Sequence, residues 1–307
     1  MTANTRATVL ITGATGMQGG AALRALRAAG HHVTAFVRDP SSAASRALVE
    51  QGVPLAVGHL DDVDALTAAC AGHDAVFSVQ MPGIDPTDPG AEQRQARNIA
   101  TAAKQAGVRH IVHTSVSSVG WREQHPGYEL STLMTAYWDG KEGAEDEVRS
   151  AGLERWTIFR PACYMENYLS PKREWQFPDL LHDELVTATS PETELALTNT
   201  DDFGAAVAAA VADPEKFHGA EIELAGDSLT HPQIAALMSQ AAGRRIAFVS
   251  IPPEESAQRF GEPTAESQVW NDRVGYPATP EHAARHGLST TTFEQWAPRQ
   301  DWSLPQA

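Results

Sequence analysis

Short apolar runs alternate with segments of helical periodicity through the first half of the chain. The runs are rich in β-branched residues and predict strands, whereas segments such as Ala91–Ala106, which stop at a glycine, predict helices. Because strands that alternate with helices form parallel sheets, this half predicts an α/β fold with a doubly wound parallel (Rossmann) sheet. The predicted strands are Val9–Ile11, His32–Val37, Val53–Gly58, Asp74–Val79, Val108–Ser115 and Trp156–Arg160.

Three glycines follow the first predicted strand with the spacing G-x-x-G-x-x-G. Gly13 permits a sharp turn, Gly16 lets the backbone approach a pyrophosphate, and Gly19 lets the next helix pack closely on the strand. That helix begins near Met17 and turns its free N–H groups and positive dipole end toward the phosphates. Thr12 brings a hydroxyl into the same turn. We therefore predict a dinucleotide site whose contacts are Gly13, Thr15, Gly16, Met17, Gln18 and Gly19.

Charge and cysteine content narrow the class of protein. The net charge is −16 over 307 residues, which argues against binding to nucleic acid or to an anionic membrane surface. The apolar runs are too short to cross a bilayer, and Met1–Thr8 contains no hydrophobic signal region. Cys70 and Cys163 form no metal-binding pattern and fit a reducing compartment. We expect a cytoplasmic protein without a metal, whose partner is a small molecule.

The residue after the second predicted strand bears on the choice of nicotinamide cofactor. An acidic residue near this position binds the ribose 2′-hydroxyl of NAD, whereas an arginine suits the 2′-phosphate of NADP. Here the strand is followed by Arg38, and the next residue, Asp39, precedes a proline in a turn pair that can point away. A solvated surface charge is the alternative for Arg38. The pattern favours NADP(H) over NAD(H).

Several segments together resemble a known family. The core Gly13-Ala14-Thr15-Gly16 resembles the extended and atypical short-chain dehydrogenases/reductases, and its continuation Met17-Gln18-Gly19-Gly20 resembles the NmrA-like family in particular. Three later segments extend that resemblance over nearly the whole chain. They are Asp139-Gly140-Lys141, Arg160-Pro161 and Asp213-Pro214-Glu215-Lys216-Phe217.

The resemblance implies functional roles for Tyr137 and Lys141. They are four residues apart and share one face of a helix, where an ammonium group lowers the pKa of a neighbouring phenol and makes it a proton donor or acceptor. Y-x-x-x-K is common, and a solvated helix face is the alternative. The helix after the fifth strand is where short-chain dehydrogenases place this pair, and there the lysine bonds the nicotinamide ribose. NmrA-like proteins usually keep the lysine but not the tyrosine. Of the three serines that follow the fifth predicted strand, Ser117 is predicted to be the third catalytic residue.

The resemblance also implies cofactor contacts outside the glycine turn. Many short-chain enzymes carry an aspartate where this chain has His59, so the backbone of Leu60 is left to contact adenine. After the sixth strand, the backbone from Pro161 to Tyr164 is expected to cover the nicotinamide, with Tyr164 facing the substrate. This set of contacts is Pro161, Ala162, Cys163, Tyr164 and Asn167.

These features predict two parts and one principal function. Residues 1–160 form an NAD(P)-binding Rossmann domain, whose sheet is rejoined by residues 200–225, and residues 161–307 form a smaller α/β substrate-binding part. We expect an NADP(H)-dependent reductase of a small carbonyl, quinone or related unsaturated compound. One alternative is a non-catalytic NADP(H) sensor, in which the proline-rich loop 81–90 moves with the cofactor. Another is an isomerase or epimerase with tightly held cofactor. The sequence leaves the substrate, the reaction direction and the oligomeric state open.

Overall fold

The computed structural model describes residues 6–82 and 87–304. These residues pack as two compact units, and each unit is assembled from separated segments of the chain. The first unit contains the chain up to Val119, Thr135–Arg160 and Thr200–Ile222, and the second contains Gly120–Met134, Pro161–Asn199 and the chain from Glu223 onward.

The first unit is built on a parallel sheet. Its strands are Thr8–Ile11 (β1), His32–Val37 (β2), Leu55–Val57 (β3), Ala75–Ser78 (β4), His110–Thr114 (β5), Arg155–Pro161 (β6) and Ala220–Leu224 (β10). Within the described residues the order is β3-β2-β1-β4-β5-β6-β10, and each neighbouring pair from β3 to β6 is parallel. The chain moves outward from β1 to β3 and returns to β4, so the order reverses between β1 and β4. This confirms the predicted doubly wound α/β fold.

Helices follow the strands of this sheet as the alternating pattern predicts. They are Met17–Ala28 (α1), Ala43–Glu50 (α2), Val63–Cys70 (α3), Ala91–Gln105 (α4), Thr132–Ser150 (α5), Thr200–Ala212 (α7) and Pro214–Phe217 (α8). Helix α7 packs on α1 at close range, because a Cβ atom on Gly204 would lie 2.6 Å from the carbonyl oxygen of Ala21. No helix in the described ranges has both the length and the apolar content that a membrane span requires.

The strands are short apolar runs because both faces of the sheet are covered. Leu10, Val76, Ile111 and Ile158 have no exposed surface and share one apolar cluster with Ile99 of α4. Strands buried on both sides carry continuous rather than alternating apolar residues. The carboxyl ends of β1, β4 and β5 then meet at one edge of the sheet, where polar residues follow each strand.

The second unit combines two small sheets with helices. Its strands are Cys163–Tyr164 (β7), Glu184–Thr187 (β8), Glu194–Thr198 (β9), Asp227–Thr230 (β11) and Ala247–Ser250 (β12). Its helices are Arg173–Gln176 (α6), His231–Ala242 (α9), Pro253–Phe260 (α10), Glu262–Arg273 (α11), Pro280–Arg285 (α12) and Phe293–Trp296 (α13). Among the described strands, β9 lies between antiparallel β11 and parallel β7, and β8 pairs in parallel with β12. Tyr168, Leu197, Ile234 and Phe293 belong to the apolar core of this unit.

Short 3-10 turns complete the described chain. They are Trp121–Glu123, Met165–Tyr168, Pro178–His182 and Ala297–Arg299.

Candidate functional site

The glycine turn between β1 and α1 leaves no room for side chains. Gly13 has φ +61, in the left-handed region, and a Cβ atom there would lie 2.6 Å from Cγ1 of Val79. A Cβ atom on Gly19 would lie 2.2 Å from the carbonyl oxygen of Gly13. The strand and the helix therefore approach as closely as backbone atoms allow, which is the geometry expected when α1 points its N-terminus at a phosphate.

The start of α1 is open to a ligand. Gly16 is the N-cap residue and offers no side-chain cap, and the first turn of the helix contains no acidic residue. Gly13, Thr15 and Gly16 are exposed, and Met17 and Gln18 are partly exposed. Free N–H groups and the positive end of the helix dipole thus face solvent, and the first turn of the helix has no acidic side chain that would offset them.

The two threonines of the turn have different tasks. The hydroxyl of Thr12 donates to the carbonyl oxygen of Val79 at 2.9 Å, and the N–H of Val79 lies 2.9 Å from that hydroxyl oxygen. Thr12 is fully buried and ties β1 to the residue after β4. Its hydroxyl is therefore a structural link, and Thr15 provides the exposed hydroxyl of the turn.

The two charged residues that follow β2 differ in whether their side chains already have hydrogen-bond partners. Arg38 is exposed and makes no ion pair or hydrogen bond with any residue in the described part of the chain. Oδ1 of Asp39 accepts hydrogen bonds from N and Oγ of Ser41 at 2.8 and 2.6 Å, and these bonds lower the pKa of its carboxyl group. The carboxylate of Asp39 is thus turned onto its own loop.

The segment after β3 is fixed by its neighbours. The carbonyl oxygen of Leu60 accepts a hydrogen bond from the side-chain amide of Asn98 on α4 at 3.0 Å. Nδ1 of His59, which stands where many short-chain enzymes have an aspartate, lies 3.1 Å from a carboxylate oxygen of Asp61. The Leu60 backbone is held in place by α4, with its side chain partly exposed.

Tyr137 and Lys141 lie on the same face of α5, as their spacing predicts. Nζ of Lys141 lies 5.5 Å from the centroid of the Tyr137 ring and donates to Oε1 of Glu92 at 2.7 Å. The Tyr137 hydroxyl has no hydrogen-bond partner among the described residues, and the side chain is partly exposed.

The expected lowering of the Tyr137 pKa is wrong. Desolvation and the nearby Glu92 carboxylate raise the pKa of the Tyr137 phenol. The larger cause is the desolvation of the phenol and the smaller is the Glu92 carboxylate, and the spacing of tyrosine and lysine reveals neither. Tyr137 is a phenol that keeps its proton at neutral pH.

Buried polar side chains collect at the ends of β4 and β5. Nδ1 of His113 lies 3.2 Å from Oγ of Ser78, and Nε2 of Gln80 donates to the same Oγ at 2.7 Å. Burial, together with Lys141, lowers the pKa of His113 to about 3, so its ring is neutral. The buried polar atoms without a hydrogen-bond partner in the described residues here are Oε1 of Gln80 and the hydroxyls of Thr114, Ser115 and Ser117.

The structure does not single out one serine. Ser115 and Ser117 are both buried with unpartnered hydroxyls in the described chain, whereas Ser118 is distinguished by φ 77. Ser117 therefore stays a prediction. Its fully buried hydroxyl can act only on a group that enters this edge of the sheet.

The predicted nicotinamide wall belongs to the second unit. Pro161 ends β6, the N–H of Ala162 donates to the carbonyl oxygen of Leu224 at 3.0 Å, and Tyr164 is buried. Nδ2 of Asn167 lies 3.5 Å from Sγ of Cys163, and burial raises the pKa of that thiol to about 11. Cys163, which is partly exposed, is therefore a protonated thiol with an ordered partner.

Comparison with known proteins identifies the family. The model of the NmrA-like family matches residues 5–294. The chain belongs to the NmrA-like family. It is 32% identical to a (4-alkanoyl-5-oxo-2,5-dihydrofuran-3-yl)methyl phosphate reductase of Streptomyces griseus, over 97% of this chain and 98% of that protein. It is 29% identical to an NAD(P)H azoreductase of Xenophilus azovorans, over 86% of this chain and 85% of that protein.

A solved structure of the same fold contains bound NADPH. An NADPH-dependent quinone oxidoreductase of Escherichia coli, solved in complex with NADPH, matches with a TM-score of 0.73 and 25% sequence identity. The match covers 94% of this chain and 98% of that chain.

Sequence reasoning missed Glu92 and His113 as parts of this NmrA-like site. Glu92 reads as an ordinary acidic residue in the first turn of a helix, and such residues are usually exposed. His113 lies within an apolar strand, which indicates burial but not its neighbours. The available signal was the pair of glycines around Lys141, because glycines inside a helix mark a close approach by another element.

Proposed function

We propose that this chain is an NADP(H)-dependent reductase that acts on a small carbonyl, quinone or related unsaturated compound by hydride transfer. The observation that carries the proposal is the glycine turn, where Cβ atoms on Gly13 and Gly19 would collide with neighbouring atoms while the N-terminus of α1 stays open. This shape accommodates a pyrophosphate and has no other structural use for its exposed N–H groups. The nicotinamide, when bound, supplies the hydride.

Arg38 supports the preference for NADP(H). Its guanidinium group is exposed and has no partner in the described residues, whereas the nearby Asp39 carboxylate already accepts two hydrogen bonds from Ser41. A 2′-phosphate would meet a free cation at this position, and a ribose 2′-hydroxyl would find no free carboxylate. Leu60, whose carbonyl is held by Asn98, is proposed to contact the adenine through its backbone.

Tyr137 is the proposed proton donor. Its raised pKa makes it a weaker acid than a free phenol, so the proposal rests on its place on the face of α5 that carries Lys141, whose Nζ lies 5.5 Å from the centroid of its ring. From there the phenol would deliver a proton to an oxygen that gains charge as hydride arrives. Lys141 keeps two donors beyond the one it uses on Glu92, and we assign these to the nicotinamide ribose. Ser117 is proposed to hydrogen-bond the reacting oxygen through its unpartnered hydroxyl.

The substrate class follows from the relatives and the second unit. The named relatives reduce a quinone, an azo compound and an unsaturated furanone, all conjugated systems that accept hydride. We assign residues 161–307 to the substrate, with Tyr164 facing it and the backbone of Pro161, Ala162 and Cys163, together with Asn167, contacting the nicotinamide. We further propose that the reaction uses no metal and takes place in the cytoplasm.

The first experiment measures binding and turnover separately. Purified protein is titrated with NADPH and NADH, and NADPH oxidation is then followed with quinones, azo compounds, aldehydes and ketones. Tighter binding of NADPH than of NADH, with oxidation in the presence of one of these compounds, is the expected result. If neither nucleotide binds, the proposed dinucleotide site at the glycine turn is wrong.

A non-catalytic sensor is the alternative outcome of this experiment. It would bind NADPH tightly and oxidise none with any acceptor. The loop at 81–90, to which we assign the movement in that case, lies partly outside the described residues, since 83–86 are not among them.

A further inference from the structure

A buried carboxylate faces the lysine of the proposed catalytic pair. Nζ of Lys141 donates to Oε1 of Glu92 over 2.7 Å, and the two side chains are only 10% and 1% exposed. Glu92 lies in the first turn of α4, and Lys141 lies in the middle of α5. A buried ion pair is seldom more stabilising than well-packed apolar residues of similar volume. Stability alone therefore does not account for burying these two charges.

The glycines of α5 make the contact possible. A Cβ atom on Gly140 would lie 3.2 Å from Oε2 of Glu92, and one on Gly143 would lie 2.6 Å from Cδ of Gln93. Gly140 and Gly143 are three residues apart and share the face of α5 that meets the first turn of α4. Each glycine lowers the helix propensity of α5, so its presence is explained by the close approach that it permits.

We propose that Glu92 is a positioning residue, which fixes the Lys141 ammonium group beside the Tyr137 ring through an ion pair that Gly140 makes room for. The inference rests on the proposed function, because it takes from there the roles of Lys141 on the ribose and of Tyr137 as donor. In this role Glu92 acts through Lys141.

Of the titratable groups that face Lys141, Glu92 is the one that provides a negative charge. Three titratable groups face the ammonium group: Glu92 from α4, Tyr137 from α5 and His113 from β5. Burial keeps His113 neutral, and Tyr137 is a protonated phenol. Glu92 is therefore the counter-charge of a buried ammonium group, and its carboxylate also helps to keep the Tyr137 proton in place.

The test compares Glu92→Gln with a matched control on the same two helices. Glu147 on α5 accepts hydrogen bonds from Arg97 at 2.7 Å and from Gln93 at 3.1 Å, both on α4, so Glu147→Gln removes an α4–α5 ion pair and leaves the contact between Glu92 and Lys141 in place. Both variants and the wild type are titrated with NADPH, and their melting temperatures are measured.

A loss of NADPH affinity is expected for Glu92→Gln. Without the carboxylate the Lys141 ammonium group loses the contact that fixes it, so the NADPH Kd increases by about tenfold relative to wild type. The melting temperature also falls, because a buried ammonium group is left without its counter-charge. Glu147→Gln lowers the melting temperature slightly and leaves the NADPH Kd unchanged.

A second variant keeps the test decisive if Glu92→Gln folds poorly. Gly140→Ala retains both charges and displaces only the Glu92 carboxylate, so a smaller increase in the NADPH Kd is expected while α5 gains helix propensity. An NADPH Kd that matches wild type in both variants overturns the inference, and so does an equal increase in the NADPH Kd of Glu147→Gln.

The failure of this inference is distinguishable from failure of the proposed function. A wild-type protein that binds NADPH but oxidises none removes the reductase and leaves the Kd comparison intact. A wild-type protein that turns over, combined with a Glu92→Gln variant whose NADPH Kd matches wild type, removes Glu92 alone.

Discussion

Two buried carboxylates of the first unit, Glu145 on α5 and Glu92 on α4, differ in their surroundings. Glu145 has no exposed surface, and both of its oxygens are occupied by the guanidinium groups of Arg149 and Arg160. Glu92 is equally buried but holds only Lys141, and its Oε2 has no hydrogen-bond partner in the described residues. The first cluster continues to Glu221 and ties α5 to β6 and β10.

The difference separates an ion pair that supports the fold from one that supports a site. Around Glu145 every charge is met by another charge, so nothing is left to bind a ligand. Near Lys141 the ends of β4 and β5 carry unpartnered polar atoms, and a partly satisfied polar group that is buried is costly unless a ligand completes it. Changes at the Glu92 cluster are therefore expected to lower both function and stability, whereas changes at the Glu145 cluster are expected to lower stability alone.

The largest expected effect is on turnover, in Tyr137→Phe. Removing the proposed proton donor lowers turnover by about 10²- to 10⁴-fold, because general acid catalysis contributes that much. The NADPH Kd stays at the wild-type value, since the ring of Tyr137 is retained. NADPH oxidation with a quinone and a parallel binding titration check this. Tyr128→Phe, in the second unit, is the matched control and turns over normally; unchanged turnover in Tyr137→Phe would remove the tyrosine from the mechanism.

The Glu145 cluster predicts a loss of stability without a loss of function. Glu145→Gln leaves Arg160 and Arg149 without their buried counter-charge and lowers the unfolding free energy by about 3 kcal/mol. Asp146→Asn is the control, because Asp146 pairs with Arg149 at 2.8 Å but is 73% exposed, and exposed pairs contribute less than about 1 kcal/mol. Urea denaturation measures both. Equal losses in the two variants would show that burial does not distinguish these pairs.

Arg38 extends the comparison to a charge that has no partner in the described chain. Arg38→Ala weakens NADPH binding about 10- to 100-fold, which corresponds to one charge-assisted hydrogen-bonded contact with a phosphate. NADH binding and the unfolding free energy stay unchanged, because Arg38 supports no other group. Arg27→Ala, at the far end of α1, removes the same charge and serves as the control. Equal losses for NADPH and NADH would contradict the assignment to the 2′-phosphate.

The sequence was sufficient for the parts of this molecule that local rules determine. The strand, the glycine turn and the helix at residues 9–28 follow from the spacing of the apolar residues and the glycines. Strands β8 and β9 escaped prediction because each pairs with a strand far along the chain, so its identity depends on tertiary contacts. Glu92 escaped for the same reason, since only the approach of α4 to Gly140 shows that its carboxylate is buried.

The smallest expected effect concerns His113, whose pKa is lowered by burial and by one residue of each cluster, Lys141 and Arg149. Burial first, and then the charges of Lys141 and Arg149, lower the pKa of His113 to about 3 from its ordinary value of 6.5. Above 6.5 the ring is neutral in both states and stability is full. As the pH falls from 6.5 toward 3, the unfolded chain takes up a proton that the folded chain refuses, so stability is lost.

His113→Asn is expected to reduce this acid sensitivity. Between pH 7 and pH 5 the wild type loses roughly 1 to 2 kcal/mol more unfolding free energy than the variant, whereas the two curves run parallel above pH 7. Urea denaturation at each pH measures the difference, and curves that stay parallel down to pH 5 would contradict the assignment. Repeating the series with Lys141→Met and with Arg149→Met shows which cluster sets the effect. A larger change with Lys141→Met would place His113 in the Glu92 cluster, and its ring would then belong to the site rather than to the supporting fold.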